Sequence, residues 1–221
     1  MKAGESWEAI QENINRAAQW FQTDPTQLLM PHCVHGNQVM MVESPFSYDE
    51  RPKLDALITV KKKYVVGVAT ADCVPVLCVD PDIGIIAAIH AGWRGALQGI
   101  LEQTIANMEI HGAQRQKILV AIGPAIQQES YEVGQEVYQK FLKVNQSFKA
   151  FFKPNSHNSL QFDLPGLVYY LLKKTGVGEI DWLKIDTYQN PDLFYSCRRS
   201  AHQGLKIFGD MLAGIMLKDE A

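Results

Sequence analysis

The sequence predicts one α+β domain spanning residues 1–221, with a mixed β-sheet core and helices outside. Two observations lead there. The stretch Thr70–Met108 reads as strand, tight turn, strand, sharp corner and helix. Around it, further β-branched runs and amphipathic segments follow with no internal repeat, low-complexity tract or linker. A chain of 221 residues buries roughly 70–75% of its unfolded surface, so it needs no disulfide or metal staple to fold.

In chain order, Ser6 can cap a first helix with Glu8 in its opening turn, and Trp7, Ile10, Ile14, Ala17, Ala18 and Phe21 recur at helical spacing. Asp24-Pro25 marks a second, short helical start. The latter half of PHCVHGNQVMMVES alternates as a strand does, with His35-Gly36 just before it. Asp55–Thr59 and Tyr64–Thr70 read as strands joined by a hairpin whose tip is the solvated run Lys61-Lys62-Lys63. Val74–Val79 and Ile85–Ile89 flank the turn Asp80-Pro81-Asp82-Ile83-Gly84. A turn centred near Asp82 pairs residues whose numbers total about 164, so that Val76 faces Ala88 and Val74 faces His90. Cys73 then lies beside His90 at the open end, next to the helix opened by Gly92-Trp93-Arg94-Gly95.

Beyond the hairpin, Lys117–Ile122 is a strand ended by Gly123-Pro124, and a helix is expected near Val133–Lys143. Asn145–Ser159 lacks periodicity and reads as a loop around Phe151-Phe152. Asp163 caps a helix with Pro165 in its first turn and Gly176 past its end. Trp182–Asp186 is a strand, and a glycine-interrupted apolar tail after Arg198-Arg199 supplies closing strands.

Composition narrows the function classes. A net charge of −3 makes no electrostatic case for nucleic acid or a membrane surface. No stretch approaches the roughly 18 apolar residues of a membrane helix, and the polar N-terminus is no signal peptide. Four irregularly spaced cysteines are no disulfide framework, which points to a reducing, cytoplasmic setting. There a Cys beside a His reads first as a metal ligand or a nucleophile. No obligate protein partner is inferred.

A catalytic zinc takes three protein ligands and keeps a fourth position open. Given Cys73 and His90, His35 is the strongest third candidate, with His32 and Cys33 beside it and His111, His157 and His202 elsewhere. Cys78, inside an apolar strand, reads as core. Asp72 could act as a general base or orient a ligand, or simply hold the turn. Arg94 at the helix opening, and the Arg198–Arg199 pair, are candidates for anion contacts.

Thr70-Ala71-Asp72-Cys73-Val74-Pro75-Val76, His90-Ala91-Gly92-Trp93-Arg94-Gly95 and His35-Gly36 together resemble the laccase-domain family. That family has been called polyphenol oxidase and is now described as purine nucleoside phosphorylase with adenosine deaminase activity. Asp55–Thr59, Gly123-Pro124, Tyr131-Glu132-Val133-Gly134, Phe162-Asp163-Leu164 and Ser196–Arg199 match its further blocks in order. The resemblance implies a layered sandwich and a zinc site, with copper as the alternative, on His35, Cys73 and His90. It also implies purine nucleosides (adenosine, inosine, methylthioadenosine) and phosphate as substrates. The family's opening strand and Arg-Gly-Gly-type turn are expected to be missing here; Ala125 stands where a Cys is frequent, and Cys197 where an aromatic precedes the arginines. The competing readings are a copper oxidase, which six histidines are too few to equip as a multicopper enzyme, a Cys73–His90 hydrolase, and an inactive binding protein.

Overall fold

The computed structural model describes residues 6–155 and 159–218; His157 lies outside them. Its strands are β1 (Leu28–Leu29), β2 (Val39–Met41), β3 (Ala56–Thr59), β4 (Val65–Thr70), β5 (Val74–Asp80), β6 (Ile85–Ala91), β7 (Leu119–Ile122), β8 (Glu132–Val133), β9 (Phe152–Pro154), β10 (Leu160–Phe162), β11 (Ile180–Trp182) and β12 (Met211–Met216). The helices are α1 (Trp7–Phe21), α2 (Trp93–Leu97), α3 (Ile100–Ile110), α4 (Gln135–Val144), α5 (Leu164–Thr175) and α6 (Cys197–His202).

A six-stranded sheet in the order β11-β7-β5-β6-β3-β2 forms the centre. It is mixed: the β5–β6, β6–β3 and β5–β7 pairs are antiparallel, and its two outer pairs are parallel. Alternation along the hairpin serves two cores, because successive side chains in a strand face opposite sides. Val74, Val76, Cys78, Ile85, Ala87 and Ile89 pack against Ile100, Ile105 and Met108 of α3 and Leu167 and Leu172 of α5. Leu77, Val79, Ile86 and Ala88 pack against Leu29, Val66 and Val68 of the second sheet, β1-β4-β12. Each fully buried aliphatic side chain contributes about 1.5–3 kcal/mol by leaving water, and β6 is buried along its whole length. The layers are therefore helices, large sheet, small sheet. A third sheet, β8-β10-β9, carries the aromatic cluster of Phe141, Phe152 and Phe162.

Several expectations hold. Ser6 Oγ accepts the Ala9 N–H at 3.3 Å. Asp163 Oδ1 accepts the Gly166 N–H at 2.8 Å, and Gly176 ends α5 with φ +79. Others need correction. The β5–β6 register lies one residue from the expected one: Pro75 faces His90 and Val74 faces Ala91. The loop is the four residues Pro81–Gly84, closed by the Gly84 N–H on Asp80 O at 3.0 Å with φ +66 at Gly84. The lysine run is no hairpin tip, because β3 and β4 enter different sheets. Asn145–Ser159 is not all loop; it contains a 3-10 turn at Gln146–Phe151 and then β9. Strand β11 ends at Trp182, where Trp182–Asp186 was expected. The helix after His90 breaks at Gly99, φ +86, into α2 and α3. No helix among the described residues is long and apolar enough to cross a membrane.

Candidate metal centre

The observed hairpin register decides which side chains meet. Opposed residues of an antiparallel pair share a face, so His90 points with Pro75 and, one pleat back, with Cys73. Both belong to the face turned toward the small sheet. Cys73 follows Asp72, whose φ of +92 turns the chain sharply before β5. His35 comes from the loop between β1 and β2 and also has positive φ, +61.

Asp55 organises that loop. It is fully buried at the entrance to β3, and its carboxylate accepts the backbone N–H groups of Val34, His35 and Gly36 at 3.3, 2.8 and 2.7 Å. The same Oδ1 lies 2.8 Å from His90 Nδ1. One carboxylate therefore shapes the loop that presents His35 and orients the imidazole of His90. With Nδ1–H given to Asp55, His90 turns Nε2 toward the thiol. Gly95 completes the arrangement, since a Cβ there would meet Gly36 O at 2.7 Å and α2 could not approach the His35-Gly36 turn.

The donor atoms of His35, Cys73 and His90 lie within 4.8 Å of one another, and the two imidazole centroids are 4.9 Å apart at 89°. Zn–S and Zn–N bonds of about 2.3 and 2.0–2.1 Å put donors arranged tetrahedrally on one ion about 3.3–3.6 Å apart, so binding would draw the three side chains closer together. Burial pushes the Cys73 thiol up, but the hydrogen bonds from His35 and His90 outweigh it and bring the thiol down to about 6. Burial alone would lower His90; its bonds to Asp55 and Cys73 raise it to about 9. For Asp55, bonds from His90 and the loop N–H groups overcome desolvation and hold the carboxyl below its usual range. A thiolate facing two imidazoles is a donor set that a divalent ion can take over by displacing protons. Gly92 closes the back of the cradle: a Cβ there would lie 3.0 Å from His35, 3.2 Å from Cys73 and 3.6 Å from His90.

The three donors open into a cleft of about 480 Å³, a volume suited to a small organic ligand. Ile10 and Ile14 of α1, Met30, and Met211 of β12 line it with Asn13, Arg51 and Asp210.

The remaining sequence candidates sit around this centre in different ways. Asp72 accepts from Thr187 Oγ1 at 2.7 Å, Ser196 Oγ at 3.0 Å and the Arg198 N–H at 2.7 Å, tying the loop before α6 to the root of the hairpin. Arg199 donates to the carbonyls of Thr187, Tyr188 and Phe194, so its guanidinium holds that loop together. Arg198 donates to Glu132 O at 2.7 Å and lies 5.3 Å from the Tyr131 ring centroid. Arg94 is exposed and stacks 4.2 Å from the Trp93 ring centroid. Tyr131, named in the sequence only within a family block and given no role, feels Cys73, Arg198, Asp72 and Arg94; burial, then the negative charge of Cys73, raises its phenol, which stays neutral. Asp55 was read only as the start of a strand and of a family block, and its role at the site was missed, although an acid inside the apolar run Leu54–Ile58 was a usable clue.

Comparison with known proteins fits this geometry. Residues 1–218 match the model of the family described as multi-copper polyphenol oxidoreductase laccase. The chain belongs to that family. A purine nucleoside phosphorylase of Rickettsia conorii is 37% identical over 210 residues, covering 95% of this chain and 85% of that protein. Adenosine deaminase RL5, from an unknown prokaryotic organism, is 39% identical over 129 residues, 55% of this chain and 49% of its own. Among solved structures, the Bacillus licheniformis hypothetical protein YfiH superposes with a TM-score of 0.91 at 25% identity, covering 99% of this chain and 84% of that one.

Proposed function

We propose that this family member performs metal-dependent phosphorolysis of purine nucleosides to the free base and ribose 1-phosphate, with adenosine deamination at the same centre. The observation that carries the reading is the three-donor cradle His35–Cys73–His90 at the floor of a nucleoside-sized cleft. Relatives named for both activities support it.

Zinc suits a two-imidazole, one-thiolate set with room for a further ligand, and when bound supplies Lewis-acid and water-activating chemistry. Copper can use the same three donors. The oxygen-reducing cluster of a multicopper oxidase needs many more histidines than the six in this chain. In phosphorolysis a phosphate oxygen bonds to C1′ of the ribose, and the C1′–N9 pair leaves with the purine. Arg94 and Arg198, whose charges both reach Tyr131, are the candidates for offsetting the phosphate charge, although neither lines the cleft itself. Asp55 sets the His90 tautomer, and Asp72 and Arg199 position the Arg198 segment.

The test is to load the protein with zinc, verify the stoichiometry, and incubate it with adenosine and phosphate. Adenine with ribose 1-phosphate supports phosphorolysis, and inosine supports deamination. Loaded protein that forms neither product overturns the reading. A strong visible copper–thiolate band in the copper-loaded protein, with oxidation of a phenol, would favour the oxidase.

A further inference from the structure

Beside the metal cleft lies a second cavity of about 350 Å³, walled by Trp7, Pro25, Phe46 and Tyr48. Tyr48 and Arg51 line both spaces, so the two cavities meet along that seam. The Trp7 and Tyr48 rings stand 5.7 Å apart at 56°. The Arg51 guanidinium stacks on Tyr48, its Cζ 3.5 Å from the ring centroid, and its Nε donates to Tyr48 O at 2.8 Å. These contacts fix a half-buried fork in one orientation. No carboxylate among the described residues pairs with it. Its Nη edge is thus left for a ligand with acceptors, beside aromatic walls that suit a flat ring.

The surroundings decide what kind of acceptor. Among the described residues Arg51 is the sole Lys or Arg lining either cavity, and Asp49 lines the aromatic one. A single stacked guanidinium between aromatic walls, with Asp49 nearby, suits a flat ring with a neutral acceptor edge. A 6-oxopurine offers N7 and O6, two acceptors that a bidentate guanidinium matches, whereas adenine offers N7 and an amino donor.

We propose that Arg51 and the Trp7–Tyr48 pocket form the purine-base subsite, and that Arg51 reads the N7/O6 edge, favouring 6-oxopurine nucleosides over adenosine. This rests on the phosphorolysis reading above.

The experiment measures kcat and KM for inosine, adenosine and phosphate on zinc-loaded wild type, Arg51→Ala and Arg51→Lys. In parallel, calorimetry follows inosine and adenosine binding without phosphate. Arg51→Ala is expected to raise the inosine KM and Kd roughly tenfold or more, with adenosine changed less than about threefold and the phosphate KM unchanged. Lysine keeps the charge and loses the fork, so it should not restore inosine. Equal losses for both nucleosides, no loss, or a rise confined to the phosphate KM would overturn the proposal. Should loaded wild type cleave neither nucleoside, phosphorolysis is refuted, and the calorimetry alone then decides Arg51 by the same inosine-to-adenosine comparison. A melting curve for each variant separates misfolding from lost recognition; if Arg51→Ala fails to fold, the lysine variant carries the comparison.

Discussion

Asp55 holds His90 at two points: the His90 N–H donates to Asp55 O at 2.8 Å, and the imidazole Nδ1 meets Asp55 Oδ1 at the same distance. Backbone and side chain of one residue thereby fix both the position of a candidate metal-ligating ring and its tautomer. Asp55→Asn keeps the shape but turns an amide donor toward N–H groups that need an acceptor. Partners of this kind are worth about 10–100-fold in metal affinity, so zinc affinity by competition with a chromogenic chelator should fall by that order. A variant that binds zinc as tightly as wild type would show that the orientation of His90 comes from elsewhere.

Gly92 offers a cleaner way to fill the site without touching a ligand. Its φ is −76, so alanine is conformationally allowed, yet the new methyl would crowd His35 at 3.0 Å and Cys73 at 3.2 Å. Gly92→Ala should remain folded, with a melting temperature within a few degrees of wild type, and should retain well under one zinc per chain. Full zinc stoichiometry by elemental analysis would mean that the donors can draw away from the methyl.

Much of this centre is legible in the amino-acid sequence. The Asp80–Gly84 turn and the β-branched runs around it specify a hairpin, and any hairpin there brings position 73 near position 90. The register could not be read, since a four-residue loop and a shorter one differ by a single residue in pairing. Lys61–Lys63 misled for a related reason: consecutive strands usually pair, whereas β3 and β4 separate to cover the two faces of one core. Asp72 and Asp55 were nearly interchangeable in sequence, each an acid at the start of a strand. What distinguishes them is tertiary: β3 lies beside β6 and delivers Asp55 to His90, while Asp72 turns toward Thr187 and Ser196, more than a hundred residues away in the chain.

That long-range tie makes Asp72 a test of how the arginine segment is held. Asp72→Ala leaves the Thr187 and Ser196 hydroxyls and the Arg198 N–H without their acceptor. Each unsatisfied buried group costs about 1–3 kcal/mol, so the variant should lose at least about 3 kcal/mol of unfolding free energy in urea. Zinc binding should persist, because no metal donor is altered, while the phosphate KM rises as Arg198 loses its anchor. Loss of zinc with the phosphate KM unchanged would place Asp72 in the metal centre itself.

Metal removal gives the last expected outcome. The cradle ties the loop before β2 to the two ends of the β5–β6 hairpin. An ion bound there and not by the unfolded chain stabilises the fold by RT ln(1 + [M]/Kd), about 4 kcal/mol when free metal is a thousandfold above Kd. Chelation should therefore lower the melting temperature by several degrees, and added zinc should restore it. In Cys73→Ser the hydroxyl cannot replace the thiolate as a ligand at neutral pH. Its melting temperature should not respond to zinc, whereas a wild-type-like response would show that the ion binds without Cys73.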